Sequence, residues 1–270
     1  MTPHTRLPTS APARPLALAL GAALMLSACG QESALTGTVV DIWGDPIQGA
    51  MVKLEGLPDR PVTDSNGRFS LPFKPGTHTI KAGLEGYIQE DVEVVVPEDA
   101  KLADHPVLRL YPIPEEKGFH VIGADRYVKV EPKPIHALGN NLKSLYGLQE
   151  PGSVSVDGSQ LRFVYHGDLR QDQLMALDLS LHPLEFVKTA ELVSVTTQEV
   201  PLNLYVADGE VPLRVERLKS RNDYLLSTDA TLERGRVYAI TTNGLLTPKD
   251  DADFRKIAPA LRLAFPVELR

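Results

Sequence analysis

The chain contains a single cysteine, Cys29, and this residue limits both how the protein can be stabilised and where it can act. One thiol cannot form a disulfide within the chain, so a folded structure has to rely on buried apolar surface. Cys29 follows a segment of apolar and small residues, 16–28, and Arg6 and Arg14 precede any acidic residue. This arrangement is typical of a secretory signal. Because the apolar segment is shorter than the roughly 20 residues of a spanning helix, we predict that residues 1–28 form a removable signal peptide.

The sequence Leu26-Ser27-Ala28-Cys29 resembles the lipobox of bacterial lipoproteins. The resemblance implies that the Cys29 thiol receives diacylglycerol, that the peptide is cut before Cys29, and that fatty acyl chains such as palmitate anchor the new amino terminus in membrane lipid. Gly30 occupies the position at which, in some Gram-negative bacteria, an aspartate retains lipoproteins in the inner membrane, so the outer membrane is favoured. The alternative is an ordinary secretory signal cut at another bond, with Cys29 as an incidental residue.

The charge of the chain bears on its partners, and its proline and glycine content bears on its fold class. The chain carries 28 basic and 35 acidic side chains, a net charge of −7, which becomes −9 when Arg6 and Arg14 leave with the signal. An acidic balance argues against nucleic acid as a partner, since binding to phosphates needs basic side chains. The 22 prolines and 20 glycines are spread along the chain and separate short segments as turns do. We therefore predict an all-β fold.

Short strand-like segments follow one another from Leu35 to Tyr111. Ala50, Val52 and Leu54 alternate with longer or charged side chains, which predicts a strand with one apolar face. Turn sequences separate the segments, among them Gly44-Asp45-Pro46, Asn66-Gly67 and Pro75-Gly76. About seven strands fit into residues 35–111, which indicates a sandwich or a small barrel.

An ordered series of residues in this segment resembles the carboxypeptidase regulatory-like domain, a transthyretin-like β-sandwich. The series is Gly37, Val39, Asp41, Gly44, Pro46-Ile47, Gly49-Ala50, Val52, Leu54, Thr63-Asp64, Gly67, Phe69, Pro75-Gly76 and Gly86-Tyr87. The resemblance covers less than a third of the chain. It implies a seven-stranded accessory module, found beside peptidases, in transporters and in surface proteins, that carries no catalytic residues of its own.

A second β domain is expected after a linker. Residues 112–118 are rich in proline and charge, which predicts a stiff, extended connection. Apolar residues then alternate in several runs, at 161–165, 175–181, 202–206 and 211–215. Residues 119–270 are predicted to form a β-rich domain of no recognised family, either an immunoglobulin-like sandwich or a more irregular β domain, with short helical pieces at 137–146 and 251–261. Residues 29–34 form a tether before the first domain, 35–111.

The sequence carries no familiar catalytic motif. His182 and Glu185 match the His-x-x-Glu pair of a zinc carboxypeptidase, but no histidine follows His182 to supply the third ligand. The other histidines of the mature chain, at 78, 105, 120, 136 and 166, show no metal-ligand spacing. A Gly-x-Ser-x-Gly elbow and a glycine-rich phosphate loop are both missing. We therefore predict no catalytic residue, no metal and no cofactor.

Four oxygen-bearing residues lie in the predicted turns of the first domain: Asp41, Asp45, Asp64 and Asn66. Hard oxygen donors in loops suit calcium, but their spacing is irregular. We interpret them instead as turn formers that bond their own backbone.

The function predicted from the sequence is that of a non-catalytic, membrane-anchored envelope protein that binds or scaffolds a protein or polysaccharide partner. Residues 30–34 reach less than about 20 Å at roughly 3.5 Å each, so the first domain should lie near the lipid surface and the second should project away. Two alternatives remain open. One is an accessory subunit of an outer-membrane transport or secretion complex, and the other is an enzyme with an unrecognised site in residues 119–270.

Overall fold

Strands dominate the computed structural model, which confirms the predicted all-β fold class. The structure describes residues 34–72, 76–88, 90–96, 105–139, 144–193, 197–218 and 222–270. Two short α-helices and one 3-10 helix are present in these ranges. Residues 1–28 and Cys29, the predicted signal peptide and lipid attachment site, lie outside the described residues.

Seven strands are present among the described residues of the first β region, as predicted. They are β1 (Ala34–Asp41), β2 (Met51–Leu54), β3 (Arg68–Pro72), β4 (Gly76–Gly83), β5 (Tyr87–Ile88), β6 (Glu90–Val96) and β7 (Val107–Pro112). One sheet has the order β3-β1-β7-β5 and the other the order β2-β4-β6. β1 pairs antiparallel with β3 and parallel with β7.

The core of this region lies between the two sheets and follows the predicted alternation. Its fully buried members include Leu35, Val39, Val52, Leu71, Ile80, Leu108 and Leu110. Gly37 sits where a Cβ atom would lie 2.5 Å from the ring of Phe69 and 2.6 Å from the Pro106 carbonyl oxygen. Only a glycine lets β1 approach the Phe69 ring this closely, which gives a physical reason for the first glycine of the motif series.

The described part of the second β region contains thirteen strands and the helices. They are β8 (Gly118–Ile122), β9 (Tyr127–Lys129), β10 (Lys133–Pro134), β11 (His136–Gly139), β12 (Ser144–Leu148), β13 (Ser155–Val156), β14 (Phe163–His166), α1 (Gln171–Met175), β15 (Ser180–Val193), β16 (Thr197–Ala207), β17 (Arg214–Leu218), β18 (Asp223–Ser227), β19 (Arg236–Thr241), α2 (Asp251–Lys256), a 3-10 helix (Pro259–Leu261) and β20 (Leu263–Leu269). A five-stranded sheet has the order β17-β18-β14-β8-β9. An eight-stranded sheet has the order β10-β20-β19-β15-β16-β12-β11, with β13 beside β20.

These two sheets of the second region face each other across its largest core. The five-stranded sheet contributes Phe119, Val121, Phe163, Tyr224 and Leu226, and the eight-stranded sheet contributes Leu181, Tyr238, Ile240, Val267 and Leu269. Since neighbouring residues of a strand point to opposite faces, Ala239 and Leu184 belong to the other face of the eight-stranded sheet. There they pack with Phe254 of α2 in a smaller core.

The two helical expectations have different outcomes. The short helical pieces predicted within 251–261 are confirmed as α2 and the 3-10 helix, and α2 begins where Asp250 Oδ1 accepts a hydrogen bond from the Asp253 amide at 2.7 Å. A helix over 137–146 is wrong, because the described part of that segment forms the antiparallel strands β11 and β12. Pairing of β12 with β16 and the contact of Tyr146 with Phe254 override the irregular apolar spacing.

Residues 33–270 form one compact unit that includes both β regions. The segment between β7 and β8 is tied to the first region, since the Ile113 amide donates to the Gly86 carbonyl at 2.9 Å. Pro114 in the same segment is buried. The exact domain boundaries proposed from the sequence stay predictions.

Candidate functional site

The ends of β1 and β7 determine where the chain enters and leaves the first region. β1 begins at Ala34, five residues after Cys29 in the sequence. Because β7 runs parallel to β1, with Asp41 opposite Leu110, the chain leaves the region at the end where β1 finishes. At about 3.3 Å per residue, the length of β1 separates the two ends by roughly 25 Å.

At the far end of β1, a turn holds the only tryptophan of the chain, Trp43. Asp41 Oδ1 accepts hydrogen bonds from the Trp43 and Asp45 amides, both at 2.9 Å. Gly44 has a φ of 97°, which a glycine adopts without strain. The turn-forming role predicted for Asp41 is confirmed, as is that of Asp64, whose Oδ1 accepts from the amides of Asn66 and Arg68 at 2.8 Å.

Trp43 joins the two β regions directly. Its indole Nε1 donates a hydrogen bond to the Gly123 carbonyl at 3.0 Å. Its ring also meets the ring of Tyr127 edge-on, with centroids 5.3 Å apart. Gly123 and Tyr127 belong to the β8–β9 hairpin, so this contact sets the turn after β1 against the edge of the five-stranded sheet. We call the contact of Trp43 with Gly123 and Tyr127 the junction.

Beyond the junction, the outer face of the five-stranded sheet carries buried and half-buried polar residues. His166 and Asp223 are register partners on β14 and β18, and His166 Nδ1 lies 2.5 Å from Asp223 Oδ1. His120 is opposite Val164 and is 4% exposed. Its ring meets that of Tyr127 at 6.2 Å between centroids. We call His120, Tyr127, His166 and Asp223 the polar cluster.

Three buried atoms of the polar cluster have no hydrogen-bond partner among the described residues: His120 Nδ1, the Tyr127 hydroxyl and Asp223 Oδ2. Burial raises the pKa of Tyr127 well above its ordinary value, and Tyr111, Asp223 and Asp41 act in the same direction. Burial lowers the pKa of His120, because a cation loses hydration there. A buried group without a partner is costly, which marks this face as unusual.

The first region matches a known family. A family model described as the carboxypeptidase regulatory-like domain matches residues 34–107.

Residues 34–107 form a carboxypeptidase regulatory-like domain.

The family suggested by the sequence motifs is thereby confirmed for this part of the chain. A comparison with curated protein sequences finds no match.

The position of His182 explains why its His-x-x-Glu spacing does not make a zinc site beside the regulatory-like domain. His182 lies on strand β15 and is fully buried, whereas Glu185, three residues on, is exposed on the opposite face. His182 Nδ1 lies 2.8 Å from the Gly209 carbonyl oxygen, and Nε2 lies 2.9 Å from Ser180 Oγ. Both ring nitrogens are therefore engaged in the core.

The remaining histidines are dispersed. His78 lies on β4, His105 bonds Thr36 Oγ1 at 2.8 Å beside the regulatory-like domain's β1, and His136 lies on β11. Within the described residues, no group of three or more histidine, cysteine or acidic side chains is arranged to hold a metal ion. Nor does any helix of the described part have the length and apolar character needed to span a bilayer.

The polar cluster is not apparent from the sequence. Its members come from strands β8, β9, β14 and β18, and their proximity depends on long-range pairing. A signal was available in the continuous apolar runs Phe163-Val164-Tyr165 and Tyr224-Leu225-Leu226. Such runs are typical of strands buried on both faces.

Proposed function

We propose that this protein is a membrane-anchored envelope lipoprotein whose regulatory-like domain holds the second β region away from the lipid surface, where it binds or scaffolds a partner without catalysis. The observation that carries the proposal is the parallel arrangement of β1 and β7. With this arrangement, the amino-terminal end of β1, which follows Cys29 in the sequence, and the junction lie at opposite ends of the same strand.

Lipid attachment is supported by the position of Cys29 after Leu26-Ser27-Ala28. Each buried methylene group of an acyl chain contributes about 0.8 kcal/mol, and two or more chains give stable anchoring where one is marginal. Only residues 30–33 separate Cys29 from β1, so a lipid on Cys29 would keep the first residues of β1 close to the membrane.

A spacing role is supported by the way the two β regions meet. The junction combines a hydrogen bond and an aromatic contact from Trp43, and the Ile113 amide is tied back to Gly86. These contacts restrict rotation of one region against the other. A rigid spacer holds the second region, and any partner bound to it, at a set height above the membrane.

The anchor is tested by growing cells with an alkyne-bearing fatty acid and following label on the full chain. We expect the unsubstituted protein to be labelled and Cys29→Ser to be unlabelled. A matched control, Cys29→Ser combined with Ser33→Cys, keeps one thiol but moves it four positions, and it should also stay unlabelled. Label that persists in Cys29→Ser contradicts the anchor.

The binding role is tested separately by cross-linking the labelled protein in intact cells and purifying it from detergent-solubilised envelope. A defined protein or polysaccharide attached through residues 119–270 supports the proposal. Attachment only through residues 34–107 contradicts the assignment of partner binding to the second region, and turnover of a substrate by the purified chain contradicts the non-catalytic role.

A further inference from the structure

Two consecutive ring contacts, from His120 to Tyr127 and from Tyr127 to Trp43, connect the polar cluster to the junction. The His120 and Tyr127 rings meet edge-on with their centroids 6.2 Å apart. The Tyr127 and Trp43 rings also meet edge-on, with their centroids 5.3 Å apart. His120 is 4% exposed, and its Nδ1 has no hydrogen-bond partner among the described residues. A change in the charge of His120 therefore acts through the Tyr127 ring on the contact of Trp43 that joins the two β regions.

A protonated His120 is poorly accommodated in the closed structure. Burial is the largest influence on its pKa and lowers it. His166 and Lys129 act in the same direction, while the Gly118 carbonyl and the Glu116 carboxylate oppose them. Lys129 already pairs with Glu116, so that carboxylate is only partly available to a second cation.

The other charged or titratable groups around the polar cluster do not remove this cost. Asp223 is 1% exposed and its Oδ1 is already bonded to His166 Nδ1. Its Oδ2 has no partner among the described residues, but Asp223 is not among the groups that act on the pKa of His120. Tyr127 is neutral over the whole relevant range, because burial raises its pKa. From the first β region, Tyr111 and Asp41 also raise the pKa of Tyr127, whereas Arg162 of the second region lowers it. Asp41 Oδ1 is held by two backbone amides of its own turn.

We propose that the junction is an acid-sensitive contact, which opens when His120 is protonated and lets water reach the outer face of the five-stranded sheet. Opening here is easier than unfolding either region. The inner face of the same sheet belongs to a large apolar core, whereas among the described residues the junction consists of one hydrogen bond and one ring contact from Trp43.

The direction of the pH dependence follows from proton linkage. In the open form His120 titrates near its ordinary value, about 6.5, and in the closed form it titrates lower. Between these two values the open form binds more protons, so the closed form becomes less stable as the pH falls through this window. One proton is involved, so the ratio of open to closed molecules rises at most about tenfold per pH unit.

Trp43 provides a direct readout, because it is the only tryptophan of the chain and lies in the junction. The experiment is a titration of tryptophan emission on the full chain from pH 8 to pH 5, with far-ultraviolet circular dichroism recorded in parallel. We expect a red shift of the emission as the pH falls, with a midpoint below about 6.5 and an unchanged β-sheet signal. His120→Phe should abolish the shift, because phenylalanine cannot bind a proton.

His136→Phe is the matched control, since it removes a histidine from β11, outside the polar cluster, and should keep the shift. NMR of the His120 ring in the unsubstituted chain gives a second test that needs no variant, and its midpoint must coincide with that of Trp43 emission. Any of four results overturns the proposal. The first is tryptophan emission that stays constant from pH 8 to pH 5, and the second is a shift in His120→Phe equal to that of the unsubstituted chain. The other two are that the NMR and emission midpoints differ, or that the β-sheet signal is lost together with the shift.

Discussion

The two faces of the five-stranded sheet are built from neighbouring residues of the same strands, yet they differ in chemistry. The inner face meets the eight-stranded sheet with side chains that are all apolar or aromatic: Phe119, Val121, Phe163, Tyr224 and Leu226. The outer face mixes buried apolar and ionisable side chains: His120, Val164, His166, Asp223 and Leu225. The inner face supplies stability, and the outer face supplies a contact whose strength can change with conditions.

The largest expected effect is on stability, and it distinguishes the two faces through leucine-to-alanine substitutions at adjacent positions of β18. Leu226 is fully buried on the inner face and Leu225 is 9% exposed on the outer face. We expect Leu226→Ala to lower the free energy of unfolding by about 2–5 kcal/mol. For Leu225→Ala we expect a loss at or below the lower end of that range. Guanidinium-induced unfolding followed by circular dichroism measures both. Equal losses show that the outer face is packed as a core of the same quality.

A smaller effect is expected at the turn that positions Trp43. Asp41→Ala removes the acceptor of two backbone amides and should lower the free energy of unfolding by about 1–2 kcal/mol. Asp64→Ala is the matched control, because Asp64 also accepts two amides but lies in another turn. Tryptophan emission should change in the Asp41 variant and stay constant in the Asp64 variant. If both variants leave emission unchanged, the Asp41 turn does not control the junction.

Substitution of Trp43 tests how much its indole N–H group contributes to the junction. Trp43→Phe keeps an aromatic ring but loses the hydrogen bond to the Gly123 carbonyl. The expected loss in the free energy of unfolding is about 1 kcal/mol, and amide hydrogen exchange should increase in the β8–β9 hairpin and stay constant in β19. An equal increase in both elements contradicts a local role for Trp43.

The smallest expected effect has the opposite sign. The Tyr127 hydroxyl is buried and has no hydrogen-bond partner among the described residues. Tyr127→Phe should therefore leave the free energy of unfolding unchanged or raise it by up to about 1 kcal/mol, since an unsatisfied polar group is removed while the ring remains. Thermal unfolding monitored by circular dichroism provides the comparison. A clear loss of stability indicates that the hydroxyl has a partner that the outer face supplies.

The sequence predicted the regulatory-like domain far better than it predicted the polar cluster. In the domain, local alternation such as Ala50, Val52 and Leu54 and turn residues such as Asp64 and Gly67 specify strands and turns within short segments. Its seven strands and its family could therefore be predicted.

The polar cluster depends on the register of four strands instead. His166 meets Asp223 only because β14 and β18 pair across more than fifty residues of sequence. Local pattern assigns such histidines and acids to exposed positions. For the same reason the local pattern of 137–146 predicts a short helical piece where the structure has strands, since the pairing partners of β12 on β16 are distant in sequence.

The parallel pairing of β1 with β7 has a mechanical consequence. A pull on the amino-terminal end of β1 and an opposite pull on the second region, transmitted through the carboxyl-terminal end of β7, act along the strand axis in opposite directions. The ladder between Thr38–Asp41 and its partners on β7 is then sheared, so its hydrogen bonds share the load and do not break one after another. A protein under tension between a membrane and a partner would resist extension through this ladder.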